Sequence, residues 1–424
     1  MKENFNSKKG DLHLVIILFL VLIPFFRFNG IANFKGCLLL VLFSLIFVKN
    51  LIFVKSRFFD FKNTRLTGFL LLIFWSLICM PLAPIVQNSI EVIIDFSCYY
   101  FFYLMISRNV STANDINKLD ILLCFFLIVE LVFVLGQMSR ISVFDFYSET
   151  QRSDNATIVR NGSRYWGTMN GSNTLASFVA PIGIYLFAKI KLSGKPYIAY
   201  TILATTAFVT LQTGTRSGII SLIMAFVWFL FSDKNKRIIT VIQVTAIVIV
   251  LFAVLGTNFI TNSTVFQRST AANADDRTII WTTAMQIFYE KPIVGTTVGN
   301  LNQYLIDYKV PVPVNKTGVF GHVENVYFTI LLSAGLIGLI FYLSQFVVFF
   351  KKMHSLSKHR EITSEAKIIV KALRVAFISI CISMFLEPSF YLNQNSVLLL
   401  YLFIGILYSK YVNKKIVVVQ TSFV

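Results

Sequence analysis

TNFITNSTVFQRSTAANADDR (257–277), WTTAMQIFYEKPIVGTTVGN (281–300) and NKTGVFGHVEN (315–325) lie in one polar stretch, 257–325, within a 424-residue chain that is otherwise apolar runs and short connectors. Hydrophobic residues make up 56% of the chain and charged residues 14%, with a mean hydropathy of +0.72, which excludes a soluble globular domain. The apolar runs on either side are long enough to cross a hydrocarbon core of about 30 Å at about 1.5 Å per residue. Twelve spans are expected, at 12–28, 36–54, 66–83, 89–107, 119–139, 172–190, 196–212, 217–232, 237–256, 326–350, 367–387 and 394–411. Every backbone N–H and C=O in lipid needs an internal partner, so these runs read as helices. The expected fold is an all-α polytopic membrane protein. Residues 1–256 supply nine transmembrane helices with an external segment at 140–171. Residues 257–325 form a large external loop, and 326–424 supply three more helices and a cytoplasmic tail. A loop of that length is uncommon unless it is functional.

Charge decides which side the loop faces. The chain carries 38 Lys and Arg against 20 Asp and Glu, a net charge of +18. With the N-terminus inside, the inner connectors hold more than twice the Lys and Arg of the outer ones, although the outer ones include the longest exposed segments. That is the positive-inside bias. It places both termini in the cytoplasm and the long loop outside, and it makes basicity a matter of topology rather than nucleic-acid binding. The first span follows MKENFNSKKGD without a small-residue cleavage site and reads as an uncleaved anchor. All five cysteines (Cys37, Cys79, Cys98, Cys124, Cys381) fall inside spans, so neither a disulfide framework nor zinc-ligand spacing is expected. No phosphate-binding loop or dinucleotide fingerprint occurs, and no metal or cofactor is expected.

The informative cations are the outer arginines that topology does not require. Arg140, Arg152, Arg160 and Arg164 lie in 140–170, Arg216 sits in the tight turn LQTGTRSG, and Arg268 and Arg277 lie in the long loop. A guanidinium is a permanently charged, planar five-donor fork suited to phosphate or carboxylate. The plain alternative for Arg140 or Arg152 is a solvated interfacial side chain. Arg216 is the sharper candidate, because it opens a helix whose N-terminal amides also favour anions.

Within the long loop, DDRTIIWTTAMQIFYEKP predicts a helix over about 276–290, capped by Asp275 or Asp276 and stopped by Pro292. These two acids read as caps rather than a metal site. Ile280, Ala284, Ile287 and Phe288 share a face, and Trp281 suits the membrane interface, so the helix is expected to lie on the outer leaflet. Gly295 and Gly299 allow a close backbone approach to a ligand, or simply a turn. His322, at the mouth of the tenth span, is the one outer histidine. It is either a solvated loop residue or a base for a hydroxyl proton. Glu324 is a second candidate for that proton, and Asn325 for hydrogen bonding a sugar. Glu91, Asp95 and Glu130 lie in or beside spans, where a carboxylate is either functional or paired between helices.

Four motifs together resemble the O-antigen ligase / Wzy-type O-antigen polymerase superfamily. They are RNGSRYWGTMNGSNTLASF (160–178), LQTGTRSGII (211–220), RTIIWTTAMQIFYEKPIVGTTVGN (277–300) and GHVENVYFTILLSAGLIG (321–338). Each is weak alone; their order and spacing carry the resemblance. It implies a GT-C-like scaffold and inverting, metal-independent glycosyl transfer at the outer face of the inner membrane. The glycan donor would ride on undecaprenyl diphosphate. By matched motif, Arg216 and Arg277 would bind the diphosphate and His322 would assist the acceptor hydroxyl. Arg160, Arg164, Asn173, Glu324, Asn325 and Trp281 would line the substrate site. Partners would be lipid-linked donor and acceptor glycans, the bilayer and a chain-length regulator, with no nucleic acid. Many ligases carry a second histidine where this chain has Glu324, which leans the expectation to polymerase over ligase. A twelve-span transporter or flippase is the rival class. Two-halved carriers put their long connector inside, between spans six and seven, whereas here the excess is outside, between nine and ten.

Overall fold

The computed structural model describes residues 67–144, 164–169, 171–232, 273–308, 323, 325–358, 362–392 and 394–413, without the side chains of 273–279, 390, 392 and 394. Among the described residues the regular elements are helices. In chain order they are α1 (Thr67–Cys79), α2 (Val86–Asn109), α3 (Ala113–Met138), α4 (Ser172–Leu192), α5 (Pro196–Gln212) and α6 (Arg216–Phe231). Then follow α7 (Asn273–Glu290), α8 (Leu301–Asp307), α9 (Val326–Lys358), α10 (Ser364–Leu386), α11 (Ser389–Leu392) and α12 (Gln394–Tyr408). Of these, α2, α3, α4, α9 and α10 are long and apolar enough to cross a membrane, while Thr67–Leu82, Arg216–Phe231 and Asn395–Tyr408 are shorter apolar helices. The chain is thus consistent with a polytopic helical membrane protein. Nine expected spans fall on described helices; those at 12–28, 36–54 and 237–256 lie outside the described residues.

Two boundaries differ from expectation for local reasons. Helix α3 begins at Ala113 rather than 119 because Thr112 and Asp115 form a reciprocal capping box, which lets the polar segment NDINK start the helix. The tenth span is not one continuous helix. It breaks at Gly335, whose φ of 70° and ψ of −173° are non-helical.

Short connections make successive helices antiparallel, so α2, α4, α6, α9 and α12 all start at one end of the bundle, where α1, α3, α5 and α10 finish. Arg108, Lys191, Lys195, Lys358 and Lys410 mark the opposite end. The core centres on α4, which packs against α5, α6 and α10. Small residues permit the closest approaches: a Cβ on Gly183 would stand 1.9 Å from Thr206 Oγ, and one on Gly218 2.5 Å from Ala176 Cβ. Such contacts favour helix association in lipid, where the hydrophobic effect between helices is absent. Polar ties cross the same interfaces. Lys189 pairs with Asp120 between α4 and α3, and Ser177 and Ser383 hydroxyls meet at 3.2 Å between α4 and α10.

The break in α9 is closed by the loop that precedes it. Thr296 N–H donates to the Leu332 carbonyl at 2.8 Å, Leu336 N–H donates to the Pro292 carbonyl at 2.9 Å, and Trp75 Nε1 donates to the Ala334 carbonyl at 2.9 Å. Groups that a continuous helix would pair internally are therefore paired across elements, as a low-dielectric setting demands. Gly295, at φ 71°, faces the same strand of backbone: a Cβ there would meet the Leu332 carbonyl oxygen at 2.5 Å. Gly299, at φ 85°, sits against the Asn88 carbonyl of α2, 2.3 Å from a would-be Cβ. The two glycines serve backbone-to-backbone packing of the loop on α9 and α2. Of the two readings open in sequence, the turn is the one the structure holds.

Helix α7 is already helical at Asn273, so Asp275 and Asp276 fall in its first turn rather than at its cap. Its apolar face is buried against protein, not left to a lipid surface. Ile280, Ala284 and Ile287 pack with Leu301 and Leu305 of α8, with Val323 and with Leu332 of α9. The helix and its apolar face are as expected, and α8 and α9 supply the cover for that face. Glu290 and Lys291 close the α7–α8 hairpin through Tyr308 and Tyr304. The Glu290 carboxylate accepting from Tyr308 holds that phenol proton up to about 12.

Candidate functional site

The common end of the bundle gathers helix N-termini, whose unpaired amides and dipoles favour negative charge. The turn between α5 and α6 shows how one of them is prepared. Gly214, at φ 63°, reverses the chain, and Thr215 occupies the position that normally caps the next helix. A threonine there usually accepts from an amide two or three residues on. Here it does not; no side chain caps α6. Instead the Thr215 hydroxyl donates to Asn173 Oδ1 at 3.2 Å and accepts from Arg164 Nη2 at 3.2 Å. Arg216 is the first residue of α6 and is exposed, and the Ser217 hydroxyl beside it is 4% exposed with no hydrogen-bond partner. An arginine, uncapped amides and a buried hydroxyl at one helix start can together receive an anion.

Arg164 and Asn173 build the wall behind it. Arg164 Nη2 donates to Asn173 Oδ1 at 2.6 Å and its Nε donates to the Thr213 carbonyl at 2.9 Å. Asn173 Nδ2 then donates to Glu387 Oε2 at 2.9 Å. Glu387 follows the last turn of α10 and is 4% exposed. Sequence reasoning did not find it, since a lone carboxylate after an apolar run reads as a span boundary.

The loop that carries Arg164 is gripped from α3. Gln137 accepts from Trp166 N–H and Gly167 N–H at 3.2 and 3.0 Å and donates to the Gly167 carbonyl at 2.8 Å. One helical stretch away, Glu130 accepts from the amide of Thr168 at 2.9 Å and from its hydroxyl. Gly167 has φ 57°, and a Cβ on it would lie 2.1 Å from Glu130 Oε2. Of the readings open for Glu130, the inter-element pairing is the observed one. Gln137→Ala leaves the two buried backbone groups of Gly167 and the half-buried Trp166 N–H without their partner, each buried group worth about 1–3 kcal/mol when orphaned. The expected result is a clear fall in thermal stability of the detergent-solubilised protein; an unchanged unfolding temperature would show that the loop does not depend on this grip.

The long loop contributes a second wall. Asn300 Oδ1 accepts from Ile85 N–H at 3.1 Å, and its Nδ2 donates to Ser89 Oγ at 2.9 Å, seating the Gly299 turn on the start of α2. Trp281 Nε1 donates to the Val323 carbonyl at 2.8 Å. Arg277 stands one turn before Trp281 on α7, so the Trp281–Val323 bond joins α7 to the last residues of the long loop. Asn325, 6% exposed, caps α9 by accepting from Phe328 N–H at 3.0 Å. Tyr327 hydroxyl donates to the Cys381 carbonyl at 3.2 Å, which ties the start of α9 to the last turns of α10 before Glu387.

Arg164 and Asn173 are thus brought into direct contact, with Arg216 next to their shared partner Thr215. Trp281, Asn325, Arg164 and Asn173 all carry intraprotein hydrogen bonds, while Arg216 is turned outward. Arg160, His322 and Glu324 lie outside the described residues, as does the side chain of Arg277. Glu91 is partly buried and accepts from Gln87 at 3.4 Å; Asp95 is partly buried on the same helix.

Residues 201–343, running from α5 through the first half of α9, match the family model described as O-antigen ligase. The match supports the O-antigen ligase/Wzy superfamily. No curated protein matches the chain.

Proposed function

From the premise that residues 201–343 are an O-antigen ligase family segment, we propose that this integral membrane protein polymerises undecaprenyl-diphosphate-linked oligosaccharide repeat units. The product is O-antigen or capsular polysaccharide, made at the outer face of the inner membrane. The observation that supports this reading best is the uncapped start of α6. The family-matched segment places exposed Arg216 there, backed by Arg164, Asn173 and Thr215. A dianionic diphosphate is the ligand such a start suits.

The reaction is an inverting displacement without metal. The acceptor hydroxyl oxygen forms a bond to the donor's anomeric carbon from the face opposite the diphosphate. The bond from that carbon to the diphosphate oxygen breaks, and undecaprenyl diphosphate leaves with the electron pair. Arg216 and Arg277 offset the charge that grows on the leaving oxygen, and His322 takes the acceptor proton, with Glu324 and Asn325 beside it. A fixed cation acts most strongly where charge develops in the transition state. Both termini face the cytoplasm, and a chain-length regulator is the partner such a polymerase would use.

The similarity of residues 201–343 to O-antigen ligases favours a second reading, ligation of the glycan to the lipid A core. Purified protein given only lipid-linked repeat units separates the two. A ladder of products is the expected result. Products that form only after a core acceptor is added would replace polymerase with ligase, and no transfer in either mixture would end both readings.

A further inference from the structure

We propose that Glu387 is a positioning residue that keeps the start of α6 open for an anion. The inference rests on the reading of that start as the diphosphate site. It concerns a residue outside the family-matched segment 201–343, as is its partner Asn173.

An asparagine amide has a donor side and an acceptor side, and which way it points decides what it can hold. Glu387 offers only acceptors when ionised. By accepting from Nδ2 at 2.9 Å it fixes the Asn173 amide so that Oδ1 turns to Arg164 Nη2 and Thr215 Oγ. Thr215 is thereby drawn away from the amides it would otherwise cap. Ser and Thr hydroxyls readily choose between such local partners. Glu387 is buried, it joins α10 to α4, and Asn173 connects it to the α5–α6 turn. Without it the Asn173 amide is held from the Oδ1 side alone and can swing with Arg164. Oδ1 then leaves Thr215, whose hydroxyl returns to the α6 amides and competes with the anion.

This mechanism makes a rescue prediction that mere structural support does not. Binding of inorganic pyrophosphate to the full-length protein in detergent is the readout, since it needs no glycosyl transfer. Glu387→Ala is expected to weaken binding on the order of tenfold, as a cap of about 1 kcal/mol and a misplaced Arg164 together would. Glu387→Gln keeps an acceptor for Asn173 Nδ2 and is expected to bind within about threefold of wild type. Adding Thr215→Val to Glu387→Ala removes the competing hydroxyl and is expected to restore part of the lost affinity. Should Glu387→Ala not fold, Asn173→Ala removes the Oδ1 acceptor that Glu387 holds toward Thr215, and Thr215→Val is expected to rescue it likewise.

Unaltered binding in Glu387→Ala, or a double variant worse than either single one, would overturn the proposal. So would Glu387→Gln behaving as poorly as Glu387→Ala, since charge rather than amide orientation would then be at work. Arg216→Ala serves as the reference arm. If it binds pyrophosphate as wild type does, the anion-site reading beneath the proposal is what fails.

Discussion

Arg216→Ala is expected to leave the protein inserted and folded while cutting polysaccharide synthesis by about 10²–10³-fold, the usual cost of removing one charge-stabilising donor. The side chain is exposed at the first residue of α6 and makes no described bond that the fold depends on, so stability should barely move. In the proposed transfer the loss is expected mainly in kcat, because a leaving diphosphate gains charge only as its bond to the sugar breaks. Arg216→Lys restores charge without the planar fork and should recover only part of the rate. Turnover of purified lipid-linked repeat units, scored beside the chain-length ladder in cells, measures both. Ladders of normal length and amount in Arg216→Ala cells would remove this residue from the reaction.

Gly335→Ala should have the largest effect on stability. The residue sits at φ 70°, and a Cβ would stand 2.0 Å from the Ile293 carbonyl oxygen and 2.7 Å from the Val294 nitrogen. Both contacts are backbone, so no side chain can swing aside. Strain in a left-handed conformation and forced separation of two backbones add up to about 3–5 kcal/mol. Gly194→Ala is the matching control. It too has a positive φ, 84°, but nothing lies within 4 Å of the added carbon. It should cost only about 1–2 kcal/mol. Thermal unfolding of the two variants in one detergent gives the comparison. Equal losses would show that the tight contact at Gly335 is relieved elsewhere.

How far the sequence could be read depends on the range of each interaction. The nine expected spans that fall on described helices follow from hydropathy, and the α7 face of Ile280, Ala284 and Ile287 follows from helical period. Both are local. Arg216 was singled out because a cation opening a helix is visible within one turn of sequence. Its setting was not, since Asn173 meets Thr215 across 42 residues and Glu387 across 214. Gly335 in SAGLIG looks like a small residue for helix packing, and only its partner Ile293–Gly295 reveals a break. The cover of the α7 face was hidden for the same reason: an amphipathic face shows that it must be covered and not by what. Glu130 reads in sequence as a costly carboxylate on α3, and its use is visible only with the Thr168 backbone in place.

The break at Gly335 also constrains how the protein is made. Residues 292–296 leave the ribosome before the helix they complete. Until Leu332 and Leu336 follow, Thr296 N–H and the Pro292 carbonyl have no partner there. In α9 the Leu332 carbonyl and the Leu336 N–H stand four residues apart, so before the loop docks a helical Gly335 lets them pair with each other. Docking of the loop therefore exchanges this internal pair for two between elements, and the break in α9 and the closure of the 292–296 turn become one event.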